Sequence, residues 1–274
     1  MAMPSTNVSD TEVIELWLAS IRASTATKTR YSQVLRSYCK THRGLPKTCE
    51  AVQTHLIERE QQGKSPSTLL VEAAALKRYM EWANIPHKRL ERPSVPLQEP
   101  RYLSPEQVRT LIDACTSPLM KCLTVLLYDT GARIGEILGL QVSDIRWDGF
   151  ITVTRKGGRR DRVPVSEFGL QALREYMQSR STRKHPSLFG NLTYHDVWYE
   201  YARLCKSIGL QNFRPHMLRH SRAIDLIQQG VDQNLVAYQL GHVNPTTTMK
   251  IYTRLTPDDL RKKVPPPLLR SAEE

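Results

Sequence analysis

No stretch of the 274 residues is apolar enough, for long enough, to span a bilayer, and no charged segment followed by an apolar core opens the chain. Neither a membrane-spanning nor a secreted protein is expected, and a cytoplasmic one is. None of the five cysteines, Cys39, Cys49, Cys115, Cys122 and Cys205, forms a CxxC pair, which excludes a zinc ribbon and a disulfide framework. They read as reduced, mostly buried thiols. His216 and His220 stand at helical spacing, but no Glu follows the first as in HExxH and no third ligand is evident. No carboxylate cluster resembles a two-metal site either. No metal and no other cofactor is expected.

Positive charge is what the chain has in surplus. Lys and Arg number 39 against 27 Asp and Glu, so 39 − 27 leaves +12. A strongly basic but well-mixed composition points to a polyanionic partner, most often nucleic acid. Hydrophobic residues at 40% suffice for packed cores, and the length suits two domains better than one.

The first hundred residues read as helices. Ser9 and Glu12 make a capping box before Val13, Ile14, Trp17 and Ile21, which share a helical face. A second helix is predicted from about Thr27 to Thr41, a third from about Cys49 to Gln62 with Gly63 as its stop, and a fourth opening at Ser65-Pro66. The fourth carries Leu69, Ala73, Leu76, Met80 and Ala83 as its inward face. From Pro86 to Arg101 the pattern lapses into prolines interspersed with Lys88, Arg89, Arg92 and Arg101. This reads as a stiff basic linker; ten extended residues reach roughly 33–36 Å.

Ser104-Pro105-Glu106-Gln107 opens a second domain that mixes both structures. Helices are predicted near 104–115, 118–128, 133–139, 167–179, 193–208, 216–229, 232–240 and 246–255. Ile151–Thr154 and Arg162–Val165 flank the turn-like Lys156-Gly157-Gly158-Arg159 and read as a hairpin with a cationic tip. The tail from Pro265 has no core pattern of its own and reads as an arm. The expected class is mainly α with a small β-hairpin or sheet (α+β).

Four segments of this domain concentrate cations. Gly131 ends one helix and Arg133 opens the next, with Glu136 three positions on and able to hold the guanidinium still. Lys156 sits on the hairpin among Arg155, Arg159, Arg160 and Arg162, partly balanced by Asp161; crowded cations ease release of a proton, which suits an acid catalyst. In His216-Met217-Leu218-Arg219-His220, His216 and Arg219 share a helical face. In the last segment Leu240-Gly241-His242 stops a helix, Asn244-Pro245 turns, and a threonine-capped helix brings Tyr252. Each feature alone is commonplace on a protein surface or in a core.

In this order and on these elements, Arg133, Lys156, His216, Arg219, His242 and Tyr252 resemble the tyrosine recombinase (phage integrase) family. The likeness extends over TGARIGEILGL followed by Asp144, TRKGGRRDRVPV, HMLRH, LGH and the terminal tyrosine. The ten positions from His242 to Tyr252 are one more than the commoner family spacing, an excess that falls in the loop-to-helix junction Pro245–Met249. Thr27–Tyr31 and Ser65–Thr68 are similar to the family's core-binding domain, a less specific match.

The resemblance implies a helical, SAM-like core-DNA-binding domain over residues 1–98, with the linker at about 86–101, and a catalytic domain over 99–274. It implies cleavage and rejoining of DNA through a 3′-phosphotyrosine, without metal or ATP. Tyr252 would be the nucleophile, Arg133, Arg219 and His242 the phosphate ligands, His216 the base, Lys156 the acid and Glu136 a support. Lys28, Arg30, Lys77, Arg78, Arg159, Arg160 and Arg162 are candidate contacts to DNA phosphates. The implied partners are duplex DNA with paired core sites, further copies of the chain as a tetramer on two sites, and accessory DNA-binding proteins, at the nucleoid. The compact two-lobe organisation leans toward a simple Xer-like or transposon-resolving recombinase. Relaxation of DNA as by a type IB topoisomerase, and a non-catalytic DNA-binding regulator of the same fold, are the alternatives the same residues leave open.

Overall fold

Hydroxyl caps set where the helices of the first unit begin. The computed structural model describes residues 8–91, 93–94, 101–180 and 185–241, and the chain divides into two compact units, Met1–Gln98 and Glu99–Glu274. In the first unit Ser9, Ser24, Thr48 and Ser65 each accept a backbone N–H with the side-chain oxygen. They open α1 (Asp10–Ser20), α2 (Thr25–His42), α3 (Cys49–Gln61) and α4 (Pro66–Trp82). The second helix therefore starts before Thr27, because the cap is Ser24 rather than a residue next to the apolar stripe.

The four helices close over Trp17, which is fully buried. Its ring stacks on Tyr31 at 5.8 Å and meets Tyr79 edge-on at 5.6 Å. Leu35, Val52, Leu76 and Met80 complete this core. Two polar pairs enter it. Glu72 is buried and takes two hydrogen bonds from Arg59, at 2.7 and 3.1 Å, and the ring nitrogens of His42 and His55 lie 2.8 Å apart. Beyond α4 the chain stays with this unit as far as it is described: Leu90 packs on the core and the Glu91 N–H donates to Gln53 at 3.0 Å.

The second unit begins where Leu103 buries its side chain and donates its N–H to Ser221 Oγ at 2.8 Å. Its helices are α5 (Pro105–Asp113), α6 (Pro118–Thr130), α7 (Ile134–Leu138), α8 (Glu167–Ser179), α9 (Tyr194–Ser207), α10 (His216–Gln228) and α11 (Gln233–Leu240). Helix α6 is the central one. It buries Leu123, Thr124, Val125, Leu126 and Leu127 in succession, the all-round pattern of a helix with neighbours on several sides, and it packs against α5, α8 and α10. Thr124 donates to the Met120 carbonyl at 2.7 Å and meets the Tyr201 hydroxyl of α9 at 2.8 Å.

Three antiparallel strands, β1 (Ile145–Arg146), β2 (Phe150–Thr154) and β3 (Arg160–Pro164), form one small sheet in chain order. Ile151 pairs with Val163, and Ile151, Val153 and Val163 face the core. The sheet has one strand more than the hairpin read from sequence, since the two-residue β1 is too short to show an alternation. Among the described residues no helix is long and apolar enough to cross a membrane, and four of the five free cysteines are buried. The expected helix at 246–255 and the tail lie outside the described residues.

Replacing Trp17 by alanine is expected to cost the first unit about 3–5 kcal/mol, measured as a lower urea midpoint in the fluorescence of Trp82. A loss under about 1 kcal/mol would show that Trp17 is not the centre of this core.

Candidate active site

The turn between α6 and α7 is where the site begins. Gly131 closes α6 at φ +63°, a left-handed conformation that glycine adopts without steric cost, and a Cβ there would fall 2.4 Å from Leu240 Cδ2. This bend points the Gly131 carbonyl at Arg219, whose Nη1 donates to it at 2.7 Å. Two residues on, Arg133 is the N-cap of α7. Its backbone N–H and its Nη1 both donate to Glu136, each at 2.9 Å.

Glu136 is only 7% exposed, and its carboxylate is also the acceptor for Arg155 Nη1 at 2.6 Å. Burial alone raises a carboxyl pKa. Here the hydrogen bonds from Arg133 and the charges of Arg155 and Arg133 outweigh burial and bring Glu136 below its ordinary value. It is ionised at neutral pH and holds two arginines, Arg133 partly exposed and Arg155 buried.

Arg219 is 3% exposed, and its Nη2 has no hydrogen-bond partner among the described residues. Burial, and after it the neighbouring charge of Arg133, pushes this guanidinium down to about 9, so it remains charged at neutral pH. A buried cation with an unused donor is costly, and an anion shared between Arg219 and Arg133 removes both the repulsion and the missing bond. His216 lies one turn earlier on α10. Desolvation by the surrounding walls, and then Arg219 and Arg133, hold its imidazole below its ordinary value, leaving it neutral and able to accept a proton.

Arg133, Glu136 and His216, with Lys156, Tyr194 and Gly241, line a cleft of about 600 Å³. Lys156 is exposed at the hairpin tip. The ring of cations expected around it is partly dissolved by pairing. Arg155 turns inward, Arg159 donates to Asp161 at 2.6 Å, and Arg160 pairs with Asp144. Asp144 is itself held by the Gln141 N–H at 2.9 Å. Arg162 is exposed on β3. His242 and Tyr252 lie outside the described residues; the chain is described up to Gly241, the left-handed cap of α11. In the first unit Lys28 and Arg30 stand near the start of α2, and Lys77 and Arg78 on α4, where Lys77 reaches Glu81 at 3.9 Å.

Two participants escaped the sequence reading. Tyr194, the first residue of α9, lines the cleft, placed there by the Thr193–Asp196 capping box. Arg155, expected only as one of the cations around Lys156, continues the inward alternation of Ile151 and Val153 and is buried. As for metals, His42, His55 and Glu58 of the first unit bring one ligand atom each within 4.8 Å of one another; the two imidazoles already satisfy each other by the hydrogen bond described above. No comparable group borders the cleft among the described residues.

The profile of the Phage integrase family matches residues 101–258. The tyrosine recombinase XerA of Thermococcus kodakarensis is 32% identical over 220 residues, covering 76% of this chain and 77% of its own. XerA of Pyrococcus horikoshii is 29% identical over 221 residues, 76% of either chain. Among solved structures, the Tn1549 transposon integrase in complex with circular intermediate DNA has the same fold, with a TM-score of 0.74 at 18% identity over 93% of this chain and 99% of that one.

Glu136→Ala leaves Arg155 buried without its carboxylate and is expected to cost about 3–5 kcal/mol, read by thermal or urea denaturation. Because the pKa of Glu136 is lowered on folding, its stabilisation is present above the ordinary value of 4.5 and lost as the pH falls below it. The variant should accordingly lose part of the acid dependence of stability; an unchanged acid limb would contradict the assignment.

Proposed function

The chain belongs to the phage integrase family and is a tyrosine-type site-specific DNA recombinase, and from that premise we infer that it cuts and rejoins DNA through a 3′-phosphotyrosine formed by Tyr252, with neither metal ion nor ATP. The observation that carries the reading is the pair Arg133 and Arg219, anchored on the two sides of the Gly131 turn, with an unused donor on Arg219. A phosphodiester under attack gathers negative charge on its nonbridging oxygens, and planar guanidiniums bind such oxygens through paired hydrogen bonds. His242 adds a further donor.

In the forward step the Tyr252 oxygen attacks phosphorus while the bond from phosphorus to the 5′ oxygen breaks. The phenol proton passes to neutral His216, and Lys156 protonates the departing 5′ oxygen. Phosphate remains on Tyr252 as an ester of nearly unchanged energy. A 5′ hydroxyl from another strand then attacks it, expels the tyrosine and reseals the backbone. Glu136 keeps Arg133 in place throughout.

The substrate in this reading is duplex DNA with paired core sites. The α2 and α4 cations Lys28, Arg30, Lys77 and Arg78 of the first unit, and Arg159, Arg160 and Arg162 of the second, meet backbone phosphates and give binding a steep salt dependence. Exchange between two duplexes requires four copies of the chain on two sites, with accessory DNA-binding proteins setting direction, in the cytoplasm at the nucleoid.

Tyr252→Phe is expected to abolish the denaturant-resistant protein–DNA adduct on a duplex nicked beside the cut site. An adduct retained by this variant would remove Tyr252 from its role. With His216 as proton acceptor and its pKa lowered, cleavage should be flat at neutral pH and fall only below the ordinary imidazole value of 6.5. In His216→Gln the rate is expected to drop roughly 10²–10⁴-fold and that acid limb to disappear; a limb that persists would assign it to another group.

A further inference from the structure

Arg155 is charged, 5% exposed, and sits immediately before Lys156. The hydrogen bonds of its guanidinium are spent inside the protein. Nη1 donates to Glu136 at 2.6 Å and to the Leu240 carbonyl at 3.3 Å, Nη2 to the Gln239 carbonyl at 2.7 Å, and Nε to Asp161 at 3.4 Å. Its backbone closes the hairpin as well: the Arg155 N–H donates to the Arg159 carbonyl at 2.7 Å, and the Gly158 N–H donates to the Arg155 carbonyl at 3.1 Å. The neighbouring chain leaves space for this one side chain. A Cβ on Gly241 would fall 2.6 Å from Arg155 Nε.

We propose that Arg155 is a positioning residue: it fastens the Lys156 hairpin to the carboxylate that holds Arg133 and to the carbonyl end of α11, and thereby fixes Lys156 against the scissile phosphate. The argument is one of connectivity. Arg155 reaches Arg133 through a single shared carboxylate. It reaches the Gly241 turn, next to His242, through the last two carbonyls of α11, where a cation is favoured by the helix dipole. Lys156 itself is exposed at the hairpin tip, so its origin is set by the residue before it. The fork geometry of arginine matters, because a carboxylate, a second carboxylate and two carbonyls in different directions are beyond the reach of one ammonium point charge. Arg155 does not touch DNA in this scheme, since its donors are committed and buried.

The inference rests on the reading of Lys156 as the acid that protonates the leaving 5′ oxygen, and a change of leaving group tests both. In a suicide duplex whose bridging 5′ oxygen is replaced by sulfur, the thiolate leaves without needing a proton. On ordinary DNA, Arg155→Met and Arg155→Lys should cleave slowly, the former by about 10²-fold, the loss associated with an ångström of misplacement, with unchanged DNA affinity in a gel-shift titration. On the sulfur-bridged duplex both should recover to near the wild-type rate, as should Lys156→Ala. Failure of Lys156→Ala to recover would refute the acid role of Lys156 and this inference with it. Recovery of Lys156→Ala without recovery of the Arg155 variants, or normal cleavage of ordinary DNA by both variants, would refute the inference alone. Should Arg155→Met not fold, Arg155→Lys keeps the charge inside the cavity and gives the same readout.

Discussion

One carboxylate holds the catalytic half of this molecule together. Glu136 is buried, ionised, and shared between an arginine that faces the cleft and an arginine that faces the interior. Without it Arg133 would be a mobile surface cation and Arg155 an uncompensated buried one, a state that proteins rarely tolerate. With it, the start of α7, the tip of the β2–β3 hairpin and the end of α11 become one electrostatic unit. The glycines at 131 and 241 belong to the same constraint, because each permits a turn and a close approach that a side chain would block.

The surplus of positive charge divides by the partners it finds. Arg155 is neutralised internally, and Arg159 and Arg160 are partly so through Asp161 and Asp144. Arg219 differs: it is deep, cationic and, among the described residues, incompletely bonded. A site of this kind is arranged for an anion that arrives from outside, and its cost in the empty protein is the counterpart of its strength when occupied. His216 is held below its ordinary value by burial first, and then by the two nearby guanidiniums of Arg219 and Arg133, which disfavour a third charge.

Local signals in the sequence are enough for most helix starts, though not for that of α2, and for the ion pair at the start of α7. Ser9, Ser65 and Ser104 cap where their patterns say, and the spacing of Arg133 and Glu136 leads directly to a contact. What escaped was depth. Nothing in HMLRH tells that Arg219 is buried while His216 faces the cleft, because both lie on one helical face and burial depends on what α6 brings against it. The depth of Arg155 is hidden for a related reason: a charged residue beside a hairpin tip is normally solvated, and its inward alternation with Ile151 and Val153 counts only once Glu136 is known to wait there. The strand β1 and the buried Glu72–Arg59 pair depend wholly on tertiary contacts.

The hydrogen bond from the Leu103 N–H to Ser221 adds a mechanical consequence. Ser221 sits on α10 between the turn that carries His216 and Arg219 and the apolar contacts with α11, and it also donates to the Met217 carbonyl at 2.9 Å. The chain thus enters the second unit by being stapled to the helix that bears His216 and Arg219. A displacement of the Leu103 backbone is therefore passed to Ser221 on α10 as well as to the core in which the Leu103 side chain is buried.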